Sequence, residues 1–115
     1  SALKTTKTVF LAKDEYDVFG DKTVIIKAAP GHSPGHQVLY LKLAKTGPVV
    51  LSGDLYHYPE ERSLNRVPIT EFNAQQTVAS RASVEAYIKK TGAPIWIQHD
   101  YMANAKMKKA PAFYD

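Results

Sequence analysis

Pro30-Gly31-His32-Ser33-Pro34-Gly35-His36 is the stretch on which the reading of this chain turns. It follows Thr23-Val24-Ile25-Ile26-Lys27-Ala28-Ala29, an apolar run with strand character, so His32 stands just past a strand end. Gly31 and Gly35 let the backbone turn sharply around His32, while Pro30 and Pro34 limit its freedom. The pattern recurs twice. Val49-Val50-Leu51 runs into Ser52-Gly53-Asp54, and Ile95-Trp96-Ile97-Gln98 runs into His99-Asp100. Taken singly, a histidine beside a strand is more often a hydrogen-bonded residue than a ligand, and a Gly-Asp pair is more often a turn. Three polar residues each ending a buried strand are hard to obtain as three independent turns, and they would converge at one edge of a sheet. Imidazole and carboxylate hold a borderline cation such as zinc at about 2.0 to 2.2 Å, and strand ends position such ligands rigidly. Asp54 offers two oxygens, enough to bridge two cations roughly 3.5 to 4 Å apart.

Composition narrows the classes. A chain of 115 residues with 44% apolar content is one domain or less, with material for a real core. The absence of cysteine removes disulfides, thiolate ligands and cysteine nucleophiles together, so a metal would be held by histidine and carboxylate. The formal charge of +4 comes from lysines scattered from Lys4 to Lys109. Their one local cluster, Lys106, Lys108 and Lys109, lacks the interleaved aromatics of a nucleic-acid platform, so no nucleic-acid partner is expected. No apolar run approaches the roughly 20 residues of a membrane span, so a soluble chain with no membrane partner is expected. The opening residues from Ser1 to Lys7 contain no long apolar core of a signal peptide. Compartment stays open between cytoplasmic and periplasmic or secreted, because any targeting signal would lie in a preceding part.

Outward from the histidine run, the pattern is mostly strands, then a helix, then a strand. Val9-Phe10-Leu11 and Tyr16-Asp17-Val18-Phe19 are short strand candidates, with Gly20-Asp21-Lys22 as a hairpin turn. Gln37 to Leu43 is the next strand, turned by Lys45-Thr46-Gly47-Pro48 into the buried Val49-Val50-Leu51. From Leu55 to Phe72 periodicity vanishes and a long irregular loop is expected. Asn73 with Gln76 fits a capping box, and a helix over about 74–90 carries Ala74, Val78, Ala82, Val84 and Ile88 on one face. Arg81 and Glu85 interrupt that face as an i,i+4 pair, and Gly92 and Pro94 stop the helix.

The run Ala29 to Gln37, with Ser52-Gly53-Asp54 and Gln98-His99-Asp100, resembles the third, fourth and fifth metal-ligand motifs of the metallo-β-lactamase superfamily, most closely its N-acyl homoserine lactonase-like branch. The spacings between His32, Asp54 and His99 are those of that branch. The resemblance covers the chain from about Tyr16 onward and implies an α/β (α+β) fold: the C-terminal half of an αββα sandwich, its mostly antiparallel, mixed sheet backed by one main helix. Residues 1–115 would then be a single partial domain.

Carried over residue by residue, the resemblance implies that His32 ligates the first of two divalent metal ions, that Asp54 bridges both and serves as the catalytic carboxylate, and that His99 ligates the second. His36 would brace the loop by hydrogen bonding, with an ordinary structural role as the competing reading. Asp100 would lie behind the ligands or simply at the surface. His57 stands where lactonases of this family place a tyrosine that contacts the substrate carbonyl, and it or Tyr56 would take that role, against a loop residue with none. The ions implied are zinc first, with manganese, iron or cobalt also accepted by such ligands. The reaction implied is ring opening of a lactone or related ester by a hydroxide bridging the ions. Thioester, β-lactam or phosphodiester hydrolysis, iron-based redox chemistry, and a catalytically inactive fragment or interaction module are the alternatives.

The family's first two motifs, a His-x-His-x-Asp-His cluster, are absent. Each ion would have two protein ligands where catalytic zinc keeps three or more, so the isolated chain is expected to bind metal weakly and to be inactive. It should also expose the sheet face on which the other half packs. The partner expected is that N-terminal half, as a separate chain or cleaved fragment, or a second copy in a domain-swapped homodimer.

Overall fold

Five strands pair in chain order into one sheet: β1 (Glu15–Asp17), β2 (Val24–Ala28), β3 (Gln37–Leu43), β4 (Gly47–Leu51) and β5 (Ile95–Trp96). The computed structural model describes residues 5–115, so residues 1–4 of the opening stretch from Ser1 to Lys7 lie outside the described residues. The first four strands are antiparallel neighbours, and β5 joins β4 in parallel. This is the mixed sheet of an α/β chain. Asp17 closes the β1–β2 hairpin, its carboxylate accepting the backbone N–H groups of Gly20 and Lys22 at 2.9 Å each. A parallel partner for β4 requires a crossover, and the chain between β4 and β5 supplies it.

Most of that crossover is helical. α1 (Pro59–Ser63) starts with proline and carries Glu60 and Glu61 in its first turn, where acidic side chains suit the helix dipole. α2 (Ala74–Thr91) begins at Asn73, whose side chain accepts the Gln76 backbone N–H at 3.0 Å. It ends at Gly92, which turns left-handed at φ 70°. α3 (Tyr101–Lys106) follows β5 and is capped by Asp100, which accepts from the Ala103 N–H at 2.9 Å.

Several expectations are corrected. Val9-Phe10-Leu11 forms no strand; Phe10 is almost fully exposed, and no strand among the described residues pairs with the segment. β1 begins at Glu15 and stops at Asp17, short of Phe19, because Asp17 turns its side chain to the hairpin. The Leu55 to Phe72 segment is not wholly irregular, since it holds α1 and the end of a 3-10 turn at Gly53–Leu55. β5 ends at Trp96, two residues before Gln98.

The inward face of α2 also differs. Its buried residues are Thr77, Ser80, Arg81 and Val84, whereas Val78 is 49% exposed. Polar side chains turn inward because loops bring them partners: Thr77 meets Glu71, Ser80 donates to the Pro30 carbonyl, and Arg81 donates to the carbonyls of Leu55 and Arg66 and to Glu61. Arg81 and Glu85 therefore do not pair with each other. Glu85 is held by Arg62 instead, at 2.7 Å.

α2 covers one side of the sheet, where Ile25, Val38, Tyr40, Val50 and Val84 form the core with Leu55, Tyr56 and Ala93. The strand register places Tyr16, Ile26, Leu39, Leu51 and Trp96 in one row across all five strands, pointing the other way. This second face is apolar yet only partly buried, with Tyr114 of the C-terminal tail set edge-on to Trp96 at 4.9 Å. Both faces of the sheet are built as interior.

Candidate metal centre

The loop after β2 is pinned to the start of α2. Asn73 donates its N–H to the Gly31 carbonyl at 2.9 Å, and the Ser80 hydroxyl donates to the Pro30 carbonyl at 2.6 Å. A Cβ on Gly31 would lie 2.3 Å from Thr77 Oγ1, and Gly31 has φ 140°, so only glycine lets the loop lie this close to the helix. His32 is thereby delivered to the carboxyl edge of the sheet, half-buried.

Asp54 follows β4 in the 3-10 turn. Its Oδ2 lies 3.4 Å from His32 Nε2 and its Oδ1 lies 2.8 Å from His99 Nε2. One carboxylate thus meets two histidines, 22 residues upstream and 45 downstream in sequence, through different oxygens. The hydrogen bond with His99, foremost, and the charges of His32, His99 and His57 hold the Asp54 carboxyl below the ordinary carboxylate range, against the opposing effect of burial.

The remaining residues singled out in the sequence divide into those at this cluster and those behind it. His36 lies beneath it: Nδ1 faces the Ala29 carbonyl at 2.9 Å, and Nε2 accepts the Asp54 N–H at 2.9 Å, so Nδ1 is the protonated nitrogen. His57 packs between the two histidines of the cluster, its ring centroid 5.2 Å from that of His32 and 5.6 Å from that of His99. Its backbone N–H donates to Glu61 Oε2 at 3.0 Å, while its buried ring Nδ1 lies 3.4 Å from Glu61 Oε1 without hydrogen-bond geometry. Tyr56 points away, under Arg81, with its hydroxyl donating to Glu85 at 3.0 Å. Burial first, then Glu85, pushes that hydroxyl up to about 12. Asp100 caps α3 and is not part of the cluster.

Two carboxylates escape a reading of the sequence. Glu71, its side chain only 1% exposed, reaches His32 Nδ1 at 3.3 Å, and Glu61 backs His57. Glu71 precedes the cap residue Asn73 closely enough to be placed near the helix start, but no local pattern names the histidine it meets. Among the described residues, His32, His57 and Glu71 each offer a donor atom within 4.8 Å of the others. The donors around Asp54 are imidazole nitrogens and carboxylate oxygens only, the set that suits zinc, manganese, iron or cobalt.

A strand-end cluster of histidines around a two-oxygen aspartate, on a mixed sheet backed by one helix, is the arrangement that the resemblance to a metallo-β-lactamase-type domain implies. Comparison with known proteins agrees. The N-acyl homoserine lactonase AttM of Azorhizobium caulinodans is 34% identical over 102 residues, which are 89% of this chain and 39% of the relative. The N-acyl homoserine lactonase AiiA of Bacillus thuringiensis subsp. kurstaki is 30% identical over 84 residues, 73% of this chain and 33% of the relative. An N-acyl homoserine lactone hydrolase solved with the product N-hexanoyl-L-homoserine at its catalytic metal centre superposes with TM-score 0.78 at 27% identity, covering 90% of this chain and 40% of that one. A probable metal-dependent hydrolase from Staphylococcus aureus shares the fold, with TM-score 0.63 at 15% identity over 79% of this chain and 32% of that one. No family model matches. The AttM and AiiA relatives and the product-bound structural neighbour of this chain are thus N-acyl homoserine lactonases of the metallo-β-lactamase superfamily, each matched over part of its length. The chain spans about two fifths of the length of the AttM relatives. No helix among the described residues is long and apolar enough to cross a membrane.

Proposed function

We propose that residues 1–115 are the C-terminal half of a dinuclear metal-dependent hydrolase that opens a lactone or related ester, with His32, Asp54 and His99 as metal ligands. The observation that carries this reading is the Asp54 carboxylate with one oxygen toward each histidine. Two ligands on one tetrahedral cation, each about 2.1 Å from it, stand roughly 3.4 Å apart. The 3.4 Å between His32 Nε2 and Asp54 Oδ2 therefore suits a shared ion, and the shorter contact to His99 would open to admit a second.

When bound, the cations supply Lewis acidity and lower the pKa of water toward about 7. The residues of this chain do the holding. Asp54 would hold the pair, while His36 fixes the Asp54 backbone from below and His57, whose backbone N–H is held by Glu61, lines the space between His32 and His99. The ligands of this chain leave each ion short of the three that catalytic zinc normally keeps, so the missing donors come from an N-terminal half, present as another chain, a cleaved fragment or a swapped second copy. The apolar, only partly buried sheet face supports such a partner, since its row of apolar side chains is continuous across the strands rather than scattered.

The test joins the N-terminal portion of the AttM relative to this chain and assays N-acyl homoserine lactone opening with added zinc. Activity of the joined protein, lost in Asp54→Ala by at least about a hundredfold, is the expected result. Full activity in Asp54→Ala sinks the reading, as does a joined protein that binds no metal.

A further inference from the structure

Glu71 is a carboxylate out of water that touches two side chains. Its Oε2 accepts from the Thr77 hydroxyl at 2.5 Å, and its Oε1 faces His32 Nδ1 at 3.3 Å. A buried carboxylate is costly unless donors meet its oxygens, and an ionised one can only accept. An ionised Glu71 and the His32 ring attract only with a hydrogen on Nδ1. That choice leaves Nε2, which faces Asp54 Oδ2 at 3.4 Å, as the nitrogen carrying a lone pair when the ring is neutral. The same turn of α2 that holds Glu71 also seats the His32 backbone, because Gly31 lies against Thr77. Backbone and ring are registered to one helix residue.

We propose that Glu71, held by Thr77, is the positioning residue that keeps the His32 hydrogen on Nδ1 and so presents Nε2 toward Asp54. The ring-orienting part stands by itself; only its consequence for a cation rests on the metal-ligand reading above. A carboxylate behind a histidine ligand fixes the tautomer and raises ligand basicity, and its loss typically costs ten- to a hundredfold in metal affinity.

The test is a long-range proton–nitrogen NMR spectrum of the metal-free chain with labelled histidine, at alkaline pH where the ring is neutral. His32 is expected with its hydrogen on Nδ1 in the wild type and in Glu71→Gln, which keeps an acceptor. In Glu71→Met the hydrogen is expected to move largely to Nε2. Thr77→Val, which loosens Glu71 without removing it, is expected to give a mixture and serves if Glu71→Met does not fold. Wild-type His32 with its hydrogen on Nε2, or the same spectrum in all the variants that fold, overturns the proposal. Zinc titration followed by the histidine signals is expected to show affinity roughly ten- to a hundredfold weaker in Glu71→Met. Zinc bound through His32 Nδ1, lost in Glu71→Gln, would make Glu71 a ligand and overturn it as well. Zinc affinity untouched by Asp54→Asn, with the tautomers as expected, would sink the metal reading and leave the positioning role standing.

Discussion

His36 Nε2 accepts the backbone N–H of Asp54 at 2.9 Å, joining the loop after β2 to the turn after β4. The bond runs between two segments that follow different strands and carry different members of the histidine–aspartate cluster. Its geometry depends on Gly53, which has φ 53° and whose Cβ, if present, would stand 2.7 Å from His36 Nε2. His36→Ala removes the acceptor and leaves a half-buried N–H unpaired, at a cost of about 1 to 3 kcal/mol. Gly53→Ala adds backbone strain and the clash, about 1 to 3 kcal/mol again. Urea unfolding checks both, and the double variant should cost less than the two together because each disrupts the same contact.

Gly31 and Gly35 flank the same histidines but have opposite tolerances. Gly31→Ala would force its Cβ to within 2.4 Å of the Thr77 backbone nitrogen, whereas Gly35 has nothing within 4 Å of that position. Gly31→Ala should lower stability by about 2 to 3 kcal/mol, and Gly35→Ala should stay within about 0.5 kcal/mol. Equal thermal midpoints for the two variants would contradict the packing of the loop on α2.

Arg81 is the buried cation that fastens the crossover to the helix. It donates to the Leu55 carbonyl at 2.9 Å and to Glu61 Oε2 at 2.9 Å, and its face covers the Tyr56 ring at 4.4 Å. Arg81→Met leaves the Glu61 charge uncompensated and should cost about 3 to 5 kcal/mol. Adding Glu61→Gln should recover part of that loss. A double variant no more stable than Arg81→Met would show that the pair is not what holds the segment.

Stability should fall on both sides of neutral pH for separate reasons. The Arg62 hydrogen bonds, first among its causes, hold the Glu85 carboxyl below its ordinary value of 4.5, so its contribution is complete above that value and is lost as pH falls through the lowered one. Burial, then Glu15 and Tyr40, pushes Tyr87 from 10.0 up to about 12. An unfolded chain releases this proton near pH 10 while the folded chain keeps it, so stability declines between about pH 10 and 12. Denaturant midpoints across pH should lose one proton's slope on the alkaline side in Tyr87→Phe and soften on the acid side in Glu85→Gln. An alkaline limb unchanged by Tyr87→Phe would refute the assignment.

What the chain announces in sequence is what neighbours along it decide. β3 runs from Gln37 to Leu43 as its alternation foretells, Asn73 caps α2, and Gly92 ends it, because strand pattern, cap and left-handed glycine act within a few residues. His32, Asp54 and His99 are readable as strand-end residues for the same reason. α1 and α3 are too short for periodicity to show, although Pro59 and Asp100 mark their starts. Val9-Phe10-Leu11 has strand composition but no neighbouring strand among the described residues, and propensity without a pairing partner does not make one. The inward turn of Thr77, Ser80 and Arg81 could not be read from α2 itself, since each is buried by a partner from another segment. Glu71 meeting His32 across 39 residues is of the same kind. Local propensity placed the ligand-type residues at strand ends; only closure of the loops between them decided which oxygen faces which nitrogen, because hydrogen-bond partners distant in sequence are chosen by packing and not by spacing.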